Sequence, residues 1–132
     1  MSGERVLVVD DNERNLKLAK AVLELAGFSV RGAGDAEEAI TQLALELPAL
    51  ILMDLQLPGM DGLALTRELK ADPATASVRI VALTAFAMKG DDVRAYQAGC
   101  DGYIPKPIDV GRFGAQIAEV LARPLRAAET SD

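Results

Sequence analysis

The chain has 132 residues, half of them apolar and 26% charged, with a formal net charge of −6. That length fits one domain with its own core, and the acidic balance argues against nucleic acid or an anionic membrane surface as partner, since both need clustered Lys and Arg. With no histidine and one cysteine, histidine-based zinc or iron sites, a Ser-His-Asp triad, an internal phosphohistidine and an intrachain disulfide are all excluded.

Short apolar runs alternate with amphipathic segments along the chain. Arg5–Asp10 (RVLVVD) predicts a first strand, and Leu16, Ala19, Leu23 and Ala26 recur at helical spacing until Gly27 stops the helix. Phe28–Gly32 reads as a weaker second strand. Asp35 and Glu38 form a capping-box signature opening a second helix, with Ala39, Ile40, Leu43 and Leu47 inward and Pro48 at its end. Leu50–Asp54 is apolar without alternation, as a strand covered on both faces should be. The turn-rich loop LQLPGMDG leads into a third helix that Asp72-Pro73 breaks after Ala71. Val78–Thr84 predicts strand four and Asp91–Ala98 helix four, stopped by Gly99. Cys100 reads as a small buried filler, and Gly102–Ile104 as strand five. A last helix from near Asp109 places Phe113, Ile117 and Leu121 on one side. The N-terminus lacks a basic region followed by a long apolar stretch, and no run reaches membrane-spanning length. The expectation is a cytoplasmic protein with one domain over 1–123 and a short frayed tail over 124–132.

Five such units predict an α/β fold, a doubly wound five-stranded parallel sheet in strand order 2-1-3-4-5, with a ligand crevice at the carboxyl ends of strands one and three. Asp10 and Asp11, Asp54, Thr84 and Lys106 all fall at such ends. Two like charges at ~5 Å repel by ~3 kcal/mol at an effective dielectric near 20, so three carboxylates there need protons, a counter-cation or a metal. An all-oxygen donor set selects a hard divalent ion, Mg²⁺ or Mn²⁺. Asp54 could then accept a phosphoryl group as an acyl phosphate, with Lys106 and the Thr84 hydroxyl contacting the transferred oxygens. The plainer reading, that Asp10, Asp11 and Asn12 only cap a helix, leaves the second carboxylate unexplained. Lys106-Pro107 precedes the last helix, which makes Pro107 a candidate for a cis peptide bond.

The segments VLVVDDNERN, LILMDLQLPGMDG, VALTAFAMKGD and AGCDGYIPKPID together resemble the receiver domain of bacterial two-component response regulators, the CheY-like family of flavodoxin-like fold. The resemblance spans roughly Arg5 to Leu121. It implies Asp54 as phosphoacceptor, Asp11 as inner Mg²⁺ ligand, Asp10 as a water-mediated one, and the Gln56 backbone carbonyl as a further ligand. It implies Thr84 and Lys106 as phosphoryl contacts, Tyr103 as the aromatic that turns inward when Thr84 moves, and a cis bond at Pro107. It further implies a histidine kinase or histidine phosphotransfer protein as phosphoryl donor, and a downstream protein that binds helix four, strand five and helix five. Such a protein accepts phosphate without being a turnover enzyme. The block TAFAMKGDD looks most like stand-alone cell-cycle and developmental receivers, and like receivers attached to hybrid histidine kinases; an excised receiver, or a receiver-like module that is never phosphorylated, would read the same way. Gln56 and Phe86, each two residues beyond a site residue, flank the expected path of hydrolytic water, and an amide beside a bulky apolar group points to a moderately long-lived phosphoryl state.

Two rivals fit less well. A haloacid-dehalogenase-type phosphatase would need a second aspartate two residues after Asp54, where Gln56 stands. A flavin mononucleotide binder would need a first loop that cradles phosphate, but that loop here is Asp10-Asp11-Asn12-Glu13, which repels an unaccompanied anion.

Overall fold

The computed structural model describes residues 3–55, 61–84, 90–106 and 108–123, apart from the side chain at position 91. Five strands, β1 (Arg5–Val9), β2 (Ser29–Ala33), β3 (Leu50–Asp54), β4 (Arg79–Thr84) and β5 (Gly102–Pro105), alternate with five helices, α1 (Glu13–Leu25), α2 (Ala36–Leu45), α3 (Gly62–Ala71), α4 (Asp91–Ala98) and α5 (Phe113–Ala122). All strand pairs are parallel, in the order β2-β1-β3-β4-β5. The expected topology is the one observed.

The alternation of strand side chains builds a core on each face. Leu7 and Val9, Ile51 and Met53, and Ile80 and Ala82 pack with α2, α3 and α4. Their neighbours Val6 and Val8, Leu50 and Leu52, and Val81 and Leu83 pack with α1 and α5 through Leu23, Phe113 and Ile117. Each large aliphatic chain so buried contributes about 1.5–3 kcal/mol. Both faces being covered is why β3 carries no polar residue before Asp54.

Helix limits follow local chemistry. Asn12 caps α1 by accepting from the N–H groups of Arg14 and Asn15 at 2.9 and 3.1 Å, and Gly27, at φ 98°, takes the left-handed turn after it. Asp35 caps α2 through the Glu38 N–H at 2.7 Å, as its signature predicts. The returning Glu38 carboxylate, however, takes the Gly34 N–H, one residue before the cap. The inward face of α2 also differs from expectation. Ala36, Ala39 and Leu43 are buried, while Ile40 and Leu47 are 49% and 43% exposed. The helix ends at Leu45, three residues short of Pro48, so Leu47 lies beyond it. Cys100 is fully buried, as expected.

Candidate functional site

Strand parity decides which side chains meet at the carboxyl edge. Asp10 continues the Val6–Val8 row and Asp54 the Leu50–Leu52 row, on the face that α1 and α5 cover. Lys106 continues the Ile104 row on that same face. The carboxylates of Asp10, Asp11 and Asp54 each offer an oxygen within 4.8 Å of the others, with Asp10 and Asp54 buried and Asp11 exposed. The Lys106 ammonium donates to Asp10 Oδ2 at 2.9 Å and lies 3.4 Å from Asp54 Oδ2. Thr84, also buried, belongs to the opposite parity row, with Ala82. On the adjacent strand Tyr103 pairs with Ala82 and packs against that same face of the sheet. Thus the charged groups and the Thr84–Tyr103 pair occupy opposite sides of one sheet edge.

Short backbone contacts hold this edge. The Asp10 N–H donates to the Ala33 carbonyl at 3.0 Å, extending the β1–β2 ladder, and Asp10 Oδ1 accepts from the Asn12 N–H at 2.9 Å. Asn12 supplies the helix cap, so the cap leaves Asp11 free to face solvent beside the cluster. The Leu55 N–H bonds the Leu83 carbonyl, and the Lys106 N–H bonds the Thr84 carbonyl at 2.7 Å. Gly62 opens α3 directly against the end of β3. A Cβ there would meet the Asp54 carbonyl oxygen and, at 2.8 Å, the Leu55 Cα, so close approach rather than an unusual φ demands glycine.

Three carboxylates against one ammonium leave two negative charges to balance. An all-oxygen donor set with one exposed member fits a hard divalent ion that keeps some of its water. Burial pulls the Lys106 pKa down, but the hydrogen bond to Asp10 and the charges of Asp54 and Asp10 outweigh it and hold it above the ordinary 10.5. Beside the cluster a cleft of about 340 Å³ runs from Asp10 and Lys106 onto Asn15, Leu18, Leu83 and Ile108. Sequence reasoning did not single out these last four. Leu18 lies just outside the helical stripe used to orient α1, and Ile108 follows a proline, so neither carried a pattern. Gln56, Phe86 and Pro107 lie outside the described residues.

The family model for the response regulator receiver domain matches residues 6–118. The chain belongs to the response regulator receiver-domain family. The polar-differentiation response regulator DivK of Brucella anthropi is 44% identical over 116 residues, which cover 88% of this receiver and 94% of that relative. The CheY-like receiver domain protein of Methanospirillum hungatei JF-1 superposes with a TM-score of 0.82 at 31% identity, over 91% of this chain and 94% of that one. The signal receiver domain of a signal transduction histidine kinase from Syntrophus aciditrophicus does so with a TM-score of 0.82 at 30% identity, over 91% of both. This receiver therefore has the CheY-like flavodoxin fold and belongs to two-component signalling. No helix among its described residues is long and apolar enough to cross a membrane.

Proposed function

We propose that Asp54 of this receiver accepts a phosphoryl group from the phosphohistidine of a partner histidine kinase or histidine phosphotransfer protein. The observation that carries this reading is the Asp10–Asp11–Asp54 cluster with the Lys106 ammonium between two of its members. The phosphorus–nitrogen bond to the donor imidazole breaks as Asp54 forms an acyl phosphate, and the freed imidazole takes up a proton. Mg²⁺, or Mn²⁺ in its place, would be held by Asp10, Asp11 and Asp54, with the Gln56 carbonyl by family resemblance, and would neutralise the transferring oxygens. Lys106 turns from Asp54 to a phosphoryl oxygen while keeping Asp10, and the Thr84 hydroxyl donates to another. The donor approaches along the cleft over Leu18 and Ile108.

Phosphorylation adds about 1.5–2 negative charges. Thr84 moves toward them, Tyr103 follows on the same sheet face, and the surface of α4, β5 and α5 presents a new shape to a downstream protein. That surface carries a groove of about 220 Å³ bordered by Tyr96, Tyr103, Arg112 and Gln116. Gln56 and Phe86 set the phosphoryl lifetime, and phosphate release from Phe86→Glu and Phe86→Ala measures their part. Unchanged lifetimes in both would remove it. The working compartment is the cytoplasm, and the protein acts as a phosphoacceptor rather than a turnover enzyme. The likeness to a receiver of a histidine kinase keeps attachment to a hybrid kinase as a second reading.

Acetyl phosphate with Mg²⁺ should add one phosphoryl group by mass spectrometry, and beryllofluoride with Mg²⁺ should shift the Tyr103 resonances. Both responses should vanish in Asp54→Asn. Labelling that persists in that variant, or no labelling of the native chain, would overturn the assignment and leave a binding module.

A further inference from the structure

Seven large apolar side chains are exposed among the described residues, and four of them fall on two complementary surfaces. The first is α1. Arg14, Leu18, Ala21 and Leu25 follow one another at four-, three- and four-residue spacing and so form a single stripe. Leu18 is 44% and Leu25 90% exposed. Arg14, Lys17 and Lys20 are exposed on the same helix and outnumber its acids, Glu13 and Glu24.

The second surface is the groove between α2 and α3, about 450 Å³, walled by Ile40, Leu43, Ala44, Leu47 and Leu69. Its two polar lining residues, Asp72 and Thr75, each make a hydrogen bond within the chain. The Thr75 hydroxyl donates to the Leu69 carbonyl at 2.6 Å, and Asp72 Oδ1 accepts from the Ala74 N–H at 2.9 Å. An occupant therefore needs apolar side chains rather than hydrogen-bonding ones. The rim is acidic. Glu37 stands three residues before Ile40 on α2, and Glu68 stands four before Asp72 on α3. Residues 36–47 contain no Lys or Arg.

We propose that copies of this chain associate head to tail, the exposed leucine stripe of α1 on one copy seating in the α2–α3 groove of the next. Leucines meet the apolar walls while Arg14 and Lys17 face the acidic rim, so one sequence supplies both halves of the contact. The two surfaces differ, and the contact is heterologous: each bound copy keeps one free half. Leu18 also borders the cleft beside Asp10 and Lys106, so docking shades that approach.

Sedimentation velocity of the full chain across a concentration series tests this without reference to phosphorylation. Average mass should rise with concentration at low salt, and about 0.5 M salt should weaken association about tenfold. Leu25→Glu and Ile40→Glu alter exposed positions, so each should keep the native circular dichroism spectrum yet stay monomeric. Mixed together, they should form a one-to-one complex that grows no further, because each retains the half the other lacks. A native chain monomeric up to millimolar concentration would overturn the proposal. So would association that survives either single substitution, or a mixture that stays monomeric.

Discussion

Two lysines in this protein each hold an aspartate at 2.9 Å, at opposite edges of the sheet, and the surroundings give the two pairs different work. At the amino edge of β4 and β5, Lys70 of α3 bonds Asp101 Oδ2 and the carbonyls of Val78, at 2.8 Å, and Ala76, at 3.4 Å. All three ammonium protons are therefore used. Asp101 Oδ2 also accepts from the Ile80 N–H at 3.0 Å. One charge answers one charge, and both side chains are more than nine-tenths buried; only Asp101 Oδ1 is left without a hydrogen-bond partner among the described residues. At the carboxyl edge Lys106 faces Asp10 and Asp54 with Asp11 beside them, and the excess is negative. A balanced pair fastens elements together; an unbalanced one recruits a cation.

Breaking the balanced pair should cost most. Lys70→Ala leaves Asp101 charged and buried, and should lower stability by about 3–5 kcal/mol in urea unfolding. Its Mg²⁺ affinity should remain native. Equal destabilisation by Lys106→Ala would erase the contrast.

Next in size is the response to Mg²⁺. A hundredfold excess over the dissociation constant should stabilise the native chain by about 2.7 kcal/mol, read as a rise in melting temperature. Asp11→Asn should need at least about tenfold more Mg²⁺ for the same rise, about 1.4 kcal/mol of binding. Should Asp11→Asn respond like the native protein, the cluster is not the ion's site.

The sign then reverses. Without divalent ions, Asp54→Asn removes a repelled buried carboxylate and should stabilise the fold by about 1 kcal/mol, whereas Asp101→Asn should destabilise it. A loss in both would mean that the two edges are electrostatically alike.

The smallest effect is alkaline. The folded-state pKa of Lys106 lies above its unfolded value near 10.5, so its stabilisation is fully present below that pH. It fades as pH rises through the folded-state value. Unfolding curves of Lys106→Met should lack that alkaline component, and an identical pH profile would refute it.

Much of this was legible in sequence because strand ends are local. An apolar, β-branched run that stops at a charged residue marks both the strand and the position of that residue in a parallel sheet, which is how Asp10, Asp54, Thr84 and Lys106 could be named together. Helix faces were less legible. Ile40 fits the 3.6-residue period of α2, but α3 stands off enough to leave a groove over it, and Leu47 lies past the helix end on the same groove; periodicity records neither a neighbour nor an early stop.

The Lys70–Asp101 pair carried no signal at all. Its partners lie 31 residues apart, and either alone reads as an ordinary surface charge. Sequence by itself determined the order of elements, the sheet and the chemistry gathered at its carboxyl edge, since those follow from local periodicity and the handedness of parallel crossovers. Only the tertiary structure decided that Asp10, Asp54 and Lys106 share one face while Thr84 and Tyr103 share the other. It alone decided which lysine is balanced, because charge balance in a folded chain is a sum over neighbours that the packing of distant segments chooses.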